Sequence, residues 1–157
     1  MDAAAKNDEV DTLLELARIN DYESGCKPNP EKALRYYKQA AELGSPYARY
    51  CLATCYADGF GVPKDDVEAF KWFLKSALQK PPGFSGAQNN LGICYERGLG
   101  VSRDLVQAYK WLRLAADGEV EPAKKAATDI AALLSSSQFE TAQRLYREFK
   151  DSHPLKA

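Results

Sequence analysis

The sequence is poor in the residues that perform chemistry. It holds one histidine, His153. A serine or cysteine nucleophile needs a base held by a third group, and a single histidine in the tail supplies no such arrangement. An excess of positive charge is also missing, since 21 Lys and Arg face 22 Asp and Glu for a net charge of −1. Dedicated nucleic-acid binders carry a clear basic surplus. Here a mildly basic end formed by Lys124, Lys125, Arg144, Arg147 and Lys150 is interrupted by acids. No stretch approaches the roughly 20 apolar residues that span a bilayer. The opening MDAAAKNDEV is polar and acidic, the reverse of a secretory signal. The cysteines Cys26, Cys51, Cys55 and Cys94 include no C-x-x-C pair. That favours reduced, buried thiols and a cytoplasmic setting, or a secreted or periplasmic one if a leader was removed.

What is present is an internal repeat. LATCYADGFGVPKDDVEAFKWFLKSA at 52–77 is matched by LGICYERGLGVSRDLVQAYKWLRLAA at 91–116. Tyr56, Gly59, Gly61, Val62, Asp65, Ala69 and Trp72 recur as Tyr95, Gly98, Gly100, Val101, Asp104, Ala108 and Trp111, each 39 positions later. A worn copy lies upstream: Tyr22 and Gly25 precede Tyr56 and Gly59 by 34 positions, and Ala33, Tyr36 and Ala41 precede Ala69, Trp72 and Ala77 by 36. A partial unit from Ala123 has lost the glycine turn and the tryptophan, as a terminal cap does.

Each unit reads as two helices. Asp65-Asp-Val-Glu68 and Asp104-Leu-Val-Gln107 have the form of capping boxes. Asn29-Pro30 and Ser45-Pro46 place a cap residue before a first-turn proline, and Ser137-Gln-Phe-Glu140 is expected to start the last helix. Gly59 and Gly98 suit the left-handed conformation that ends a helix. The pattern predicts helices over 8–24, 30–43, 46–58, 66–79, 86–97, 105–117, 122–134 and 138–150. These form one domain over 1–157, with units 8–43, 46–79 and 86–117 and a cap at 122–150. Ala33, Ala53, Ala69, Gly92 and Ala108 allow close helix approach, while Tyr56, Tyr95, Trp72 and Trp111 fill the space between paired helices.

The motif A-x-x-x-L-[GA]-x-x-Y-x-x-G-x-G-V-x-x-D-x-x-x-A-x-x-W resembles the Sel-1-like repeat, a relative of the tetratricopeptide repeat. Residues 48–72 and 87–111 match throughout and 14–41 in part, and QFETAQRLYREF is similar to the helix that closes such arrays. The resemblance implies an all-α fold: a right-handed α/α superhelix, or solenoid, of about three repeats plus a C-terminal capping helical hairpin. It also implies an adaptor that binds proteins and performs no reaction, with no catalytic, cofactor or metal residues. A cysteine-rich bacterial branch has paired cysteines stapling its helices and is associated with penicillin binding. The corresponding positions here are Ala40 or Ala41 with Ala48, and Ala116 with Ala123. That departure counts against a β-lactam or cell-wall hydrolase. A structural fragment of a longer array is the remaining alternative.

Two chemical readings compete with the scaffold. Cys51 and Cys55, one helical turn apart, would need Cys94 and a fourth ligand to hold zinc. Packing as small hydrophobes explains Cys55 and Cys94 better. The G-x-G-V turns follow helices rather than strands and lack the P-loop lysine, so they are turns rather than phosphate loops.

In stacked helical hairpins the first helices line the concave face. The repeat register places Leu16, Asn20 and Glu23 there in unit one, Tyr50, Thr54 and Asp58 in unit two, Asn89, Ile93 and Arg97 in unit three, and Lys125 and Asp129 in the cap. This strip is the expected groove for a protein or peptide. Asn20 and Asn89 offer hydrogen bonds to a backbone, and Tyr50 offers low-entropy contact area. The plain alternative is a solvated helix face. A second candidate contact is the longer connection KPPGFSG at 80–86, where Phe84 either projects as an apolar tip or folds back to seal the stack. Neither nucleic acid nor a membrane span is expected, and pairing of two copies through an open end of the stack stays open.

Overall fold

The computed structural model describes residues 3–21, 28–79 and 83–153. They form eight helices: α1 (Ala3–Ile19), α2 (Pro30–Glu42), α3 (Pro46–Asp58), α4 (Asp66–Ala77), α5 (Ser85–Arg97), α6 (Leu105–Asp117), α7 (Glu121–Ala131) and α8 (Ser136–Ser152). No strand occurs among the described residues. No helix of these residues is long and apolar enough to cross a membrane. The chain divides into two compact units, Met1–Trp72 and Phe73–Ala157, with the division inside α4.

The helix ends follow local hydrogen-bond chemistry. Asn29 Oδ1 accepts from the Lys32 amide and Ser45 Oγ from the Ala48 amide, both at 3.1 Å, and proline follows each cap. Asp65 Oδ1 accepts from Val67 and Glu68, and Asp104 Oδ1 from Val106 and Gln107. The aspartates cap alone, because Glu68 turns to Lys71 Nζ at 2.6 Å instead of closing a box. Gly59 and Gly98 end α3 and α5 at φ of 74° and 73°, in the left-handed region predicted for them.

Three boundaries need correction. The first helix was expected over 8–24. It begins at Ala3 and ends at Ile19, where the Asn20 amide donates back to Ala17 O and its side-chain Nδ2 to Leu16 O. The last helix starts from Ser135 rather than Ser137. Ser135 Oγ accepts from the Gln138 amide and Gln138 Oε1 accepts from the Ser135 amide, a complete capping box two residues earlier. The seventh helix stops at Ala131, and Leu133 and Leu134 continue only in tight turns onto Ile130 and Ala131.

The core of the first unit gathers Ala17, Ala33, Tyr37, Ala40, Ala41, Ala48, Leu52 and Cys55, with Tyr56, Phe60 and Trp72 packed at its margin. Alanine dominates because the helices approach too closely for larger side chains. The loop after α3 approaches as tightly, since a Cβ on Gly61, at φ 71°, would land on the Pro30 carbonyl. In the second unit Tyr109, Leu112, Ala115, Ala116, Ala123, Ala127, Ile130 and Ala142 form the centre. Gly92 lies so near Leu112 that a Cβ there would sit 2.5 Å from Leu112 Cγ. The alanines at the staple positions of the cysteine-rich branch, Ala40, Ala41, Ala48, Ala116 and Ala123, are all buried.

The two clear repeats close their turns with the same main-chain bonds. The Asp65 amide donates to Tyr56 O and the Asp104 amide to Tyr95 O, each at 2.9 Å. Cys55 O and Cys94 O accept from Phe60 and Leu99, again at 2.9 Å. Trp111 is the more deeply buried tryptophan, because Phe149 of α8 packs edge-on against it. The worn repeat's Tyr22 and Gly25 lie outside the described residues.

Candidate functional site

The helix α3 presents a stripe that its sequence spacing creates. Tyr47, Tyr50, Cys51, Thr54, Cys55 and Asp58 fall at successive steps of three, one, three, one and three, which is one face of a 3.6-residue helix. This stripe forms a wall of a cavity of about 390 Å³ in the first unit, completed by Asp21 after α1, Tyr37 from α2, and Gly59 and Phe60 at the end of α3. The volume is in the range of small-ligand pockets, roughly 300–1,000 Å³.

Its polar groups are mutually ordered. Tyr37 donates its hydroxyl to Asp21 Oδ2 at 3.1 Å. Burial pushes the Tyr37 phenol well above its ordinary value, with Cys51 and Asp21 adding to the shift, so the ring stays a neutral donor. Thr54 gives its proton to Tyr50 O at 3.1 Å. Tyr47 and Tyr50 stack with centroids 6.4 Å apart and planes 28° from parallel. Burial, then the neighbouring Cys51, Asp21 and Asp58, pushes the Cys55 thiol up to about 12. A thiol so shifted is protonated at neutral pH and is neither a good nucleophile nor a ready metal ligand. Cys94, at the matching position of the next repeat, is equally buried. Among the described residues no group of three His, Cys, Asp or Glu is placed to hold a metal, and Cys26 lies outside them.

The expected groove residues fare unequally. Tyr50, Thr54 and Asp58 are brought together on the cavity wall. Leu16 and Asn20 are half-buried, and the Asn20 side-chain amide donates to Leu16 O at 2.7 Å. Glu23 lies outside the described residues. In the second unit Asn89 and Ile93 are half-buried on α5 and Arg97 is exposed, at the repeat positions of Tyr50, Thr54 and Asp58. Lys125 and Asp129 are exposed and pair with each other at 3.5 Å. Sequence reasoning missed Asp21, Tyr37, Tyr47 and Cys51. Tyr47 and Cys51 were readable from their spacing to Tyr50 and Thr54. Asp21 and Tyr37 come from other segments, and only the tertiary structure adds them.

Most of the basic end is engaged in ion pairs, within its own helices or, for Lys150, across to α6. Lys124 bonds Glu121, Arg144 bonds Glu148 at 3.1 Å, and Lys150 reaches Asp117 at 2.9 Å. Asp117 also accepts from the Tyr146 hydroxyl at 2.5 Å, while its other oxygen takes Arg113 at 3.0 Å. Lys110, half-buried, lies 4.4 Å over the Trp111 ring and 5.4 Å from Phe149, and burial lowers its pKa. The ring of His153 stacks on Phe149 at 4.1 Å. The bonds from Tyr146 and Lys150 to Asp117, with the Lys110–Phe149 contact, fasten α8 onto α6. The Phe84 connection also closes inward: its amide donates to Ser76 O, the ring is half-buried, and Gly83 rests directly on the Ala77 carbonyl. Residues 80–82 of that connection lie outside the described set.

A region of 58 residues is 47% identical to an exopolysaccharide production negative regulator of Rhizobium leguminosarum bv. viciae, covering 37% of this chain and 21% of that protein. Another of 49 residues is 41% identical to chitin synthase regulatory factor 2 of Schizosaccharomyces pombe, covering 31% and 10%. The chain thus spans only about a fifth or a tenth of the length of these curated relatives in the matched regions. Among solved structures, a protective antigen of uropathogenic Escherichia coli displaying an SLR fold aligns with TM-score 0.84 at 28% identity, over 96% of this chain and 32% of that one. A Sel1 repeat protein from Oxalobacter formigenes aligns with TM-score 0.69 at 37% identity, over 80% and 93%. The Sel1 repeat family profile matches residues 11–45, 46–81 and 85–119, more than half of the chain, and with the paired turns at Tyr56 and Tyr95 this makes the protein a member of the Sel1 repeat family.

Proposed function

We propose that the chain is a binding module that holds a segment of another protein against the first-helix faces of its repeats, and that it does no chemistry itself. Sel1 repeat proteins are typically interaction scaffolds, and the relatives above are named as regulators, a role that a holding surface can serve. One observation carries the reading. The turn residues are kept between repeats, whereas the stripe on the first helix is not: Tyr50, Thr54 and Asp58 on α3 become Asn89, Ile93 and Arg97 on α5. Positions that architecture does not dictate are where recognition is written.

The test is affinity capture with the wild type and with a Tyr50→Ala/Asn89→Ala/Arg97→Ala variant of matched stability. Specific partners should be lost by the variant. Undiminished capture of every partner by the folded variant would refute the first-helix face as the binding surface. A hydrolase of β-lactams is the other class of reading. Nitrocefin turnover by the pure protein would favour it, and a lack of turnover by folded protein would remove it.

A further inference from the structure

Independently of that reading, we propose that a second cavity, at the start of α5, is a pocket for a primary carboxamide that pairs with the Gln88 side chain. The cavity measures about 140 Å³ and lies in the second unit, between the first turn of α5 and the ends of α6 and α8. Gly83, Gln88 and Leu114 are its buried residues, and Asp117, Gly118 and Lys150 stand exposed at the rim.

Gln88 carries the inference. It is only 4% exposed, yet its side-chain amide has no hydrogen bond to any described residue. No polar side-chain atom among the described residues is both sealed from solvent and unpartnered. The Gln88 amide therefore opens on the cavity that the residue lines. An amide buried this deeply costs free energy unless something bonds it. The preceding repeat shows how the situation arises. The matching residue there is Arg49, 39 positions earlier, and its Nε donates to Ala41 O at 3.3 Å. Ala77 matches Ala41, but Gly83 covers its carbonyl so closely that a Cβ would lie 1.6 Å from Ala77 O. Gln88 is thus denied the acceptor that its counterpart uses.

The other polar groups of the lining narrow the occupant. Both Asp117 oxygens are engaged, Oδ1 by Arg113 and Oδ2 by Tyr146 and Lys150. Lys150 spends two of its three donors on Asp117 and the Tyr146 hydroxyl. His153 Nδ1 is within bonding distance of Phe149 O and Ser152 Oγ. Beside Gln88 there remain the Ser85 hydroxyl, which has no bond to a described residue, His153 Nε2 and one Lys150 proton. Anions meet Asp117 at the rim and cations meet Lys150. A carboxylate would leave Gln88 Oε1 without a donor, and an ammonium would leave Gln88 Nε2 without an acceptor. A primary carboxamide is neutral and answers both atoms from one edge. Leu114 and Phe149 supply an apolar wall for its stem. The volume exceeds a water's share of about 30 Å³ and falls below the roughly 300 Å³ of drug-sized pockets. It suits a small free amide or the side chain of an asparagine or glutamine on a protein.

The experiment titrates the isotope-labelled full chain with propionamide, followed by NMR of the backbone amides and of the Gln88 side-chain amide. Propionate and N,N-dimethylpropionamide serve as controls, and N-acetyl-glutamine methylamide presents the same group on a peptide stem. Saturable shifts at the Gln88 side chain, Ser85, Leu114 and Gly118 are expected, with a Kd on the order of 10 mM for so small a ligand. Both controls lack the donor that Gln88 Oε1 needs and should bind at least about tenfold more weakly. Gln88→Leu should abolish the response yet keep or raise the unfolding midpoint, because the amide it removes has no partner in the protein. A midpoint well below wild type would reveal a structural partner for Gln88 and overturn the pocket. Equal binding of either control, or no response of Gln88 to propionamide and the glutamine analogue, which leaves the cavity to water, would also overturn it. Binding of the glutamine analogue as tightly as propionamide assigns the pocket to a protein side chain, and binding of propionamide alone assigns it to a free amide. None of Tyr50, Asn89 and Arg97 lines this cavity, so capture by their triple variant reports on the segment-binding reading alone.

Discussion

Phe149 meets Trp111 edge to face, with centroids 5.2 Å apart and planes at 66°. This contact explains why the second repeat tryptophan is sealed from solvent although the last helix belongs to no full repeat. Replacing Phe149 with alanine should cost about 2 kcal/mol, less than a fully buried phenylalanine because the ring is half-exposed. Urea unfolding measures the loss, and hydrogen exchange should show it first in α8. An unchanged midpoint would mean that α8 adds nothing to the unit beneath it.

Two equivalent-looking glycine turns should respond differently to alanine. Gly98→Ala places a side chain at φ 73° but meets only ordinary contacts, the nearest being Arg103 N at 3.5 Å, so about 1 kcal/mol is expected. Gly61→Ala adds a collision with the Pro30 carbonyl to a similar backbone strain, and about 3 kcal/mol is expected. Equilibrium denaturation of both variants checks the order, and equal losses would contradict the close approach.

Among the cysteines, exposure and acidity predict reactivity. Cys51 is half-exposed, whereas Cys55 and Cys94 are buried and burial pushes the Cys55 thiol up to about 12. Iodoacetamide at pH 8 on a Cys26→Ser background should label Cys51 well before the other two, as read by peptide mass spectrometry. Labelling of Cys55 at a similar rate would show that the cavity wall opens.

The Asp117 carboxyl gives the second unit an acid-sensitive contact. Burial pushes its pKa up, but the Tyr146 hydroxyl, Lys150 and Arg113 outweigh burial and hold it below the ordinary aspartate value. A depressed folded-state pKa means stability that is present above the unfolded value and is lost as pH falls through the folded one. Asp117→Asn should therefore be less stable than wild type at neutral pH, and the gap should narrow well below the ordinary aspartate pKa of about 4. Denaturation midpoints at the two ends of that range decide it. A gap that does not change with pH would deny the ionic part of the contact.

Much of the fold was legible because repetition is written twice. A spacing of 39 residues placed Tyr56 and Tyr95, Gly59 and Gly98, and Asp65 and Asp104 in matching roles, and the turns agree to the same 2.9 Å bonds. What escaped notice lacked a local signal. Residues 3–7 show no apolar periodicity, so the start of α1 was invisible. Ser135, Ser136 and Ser137 offer three similar caps, and only the reciprocal pair of bonds with Gln138 selects Ser135. Half of the cavity was readable, because Tyr50, Thr54 and Asp58 share one helix. The bond from Tyr37 to Asp21 joins residues on separate segments, and no pattern in the chain announces it.

The turns after α3 and α5 are closed by main-chain bonds, from Phe60 and Asp65 to Cys55 and Tyr56, and from Leu99 and Asp104 to Cys94 and Tyr95. Joints made of backbone are indifferent to the side chains on either side. The helix before each glycine is therefore an exchangeable cassette: its outward residues can drift, or be transplanted between repeats, without loosening the hinge that carries them. Divergence of specificity in such a protein needs no remodelling of its frame, only new letters on a fixed stave.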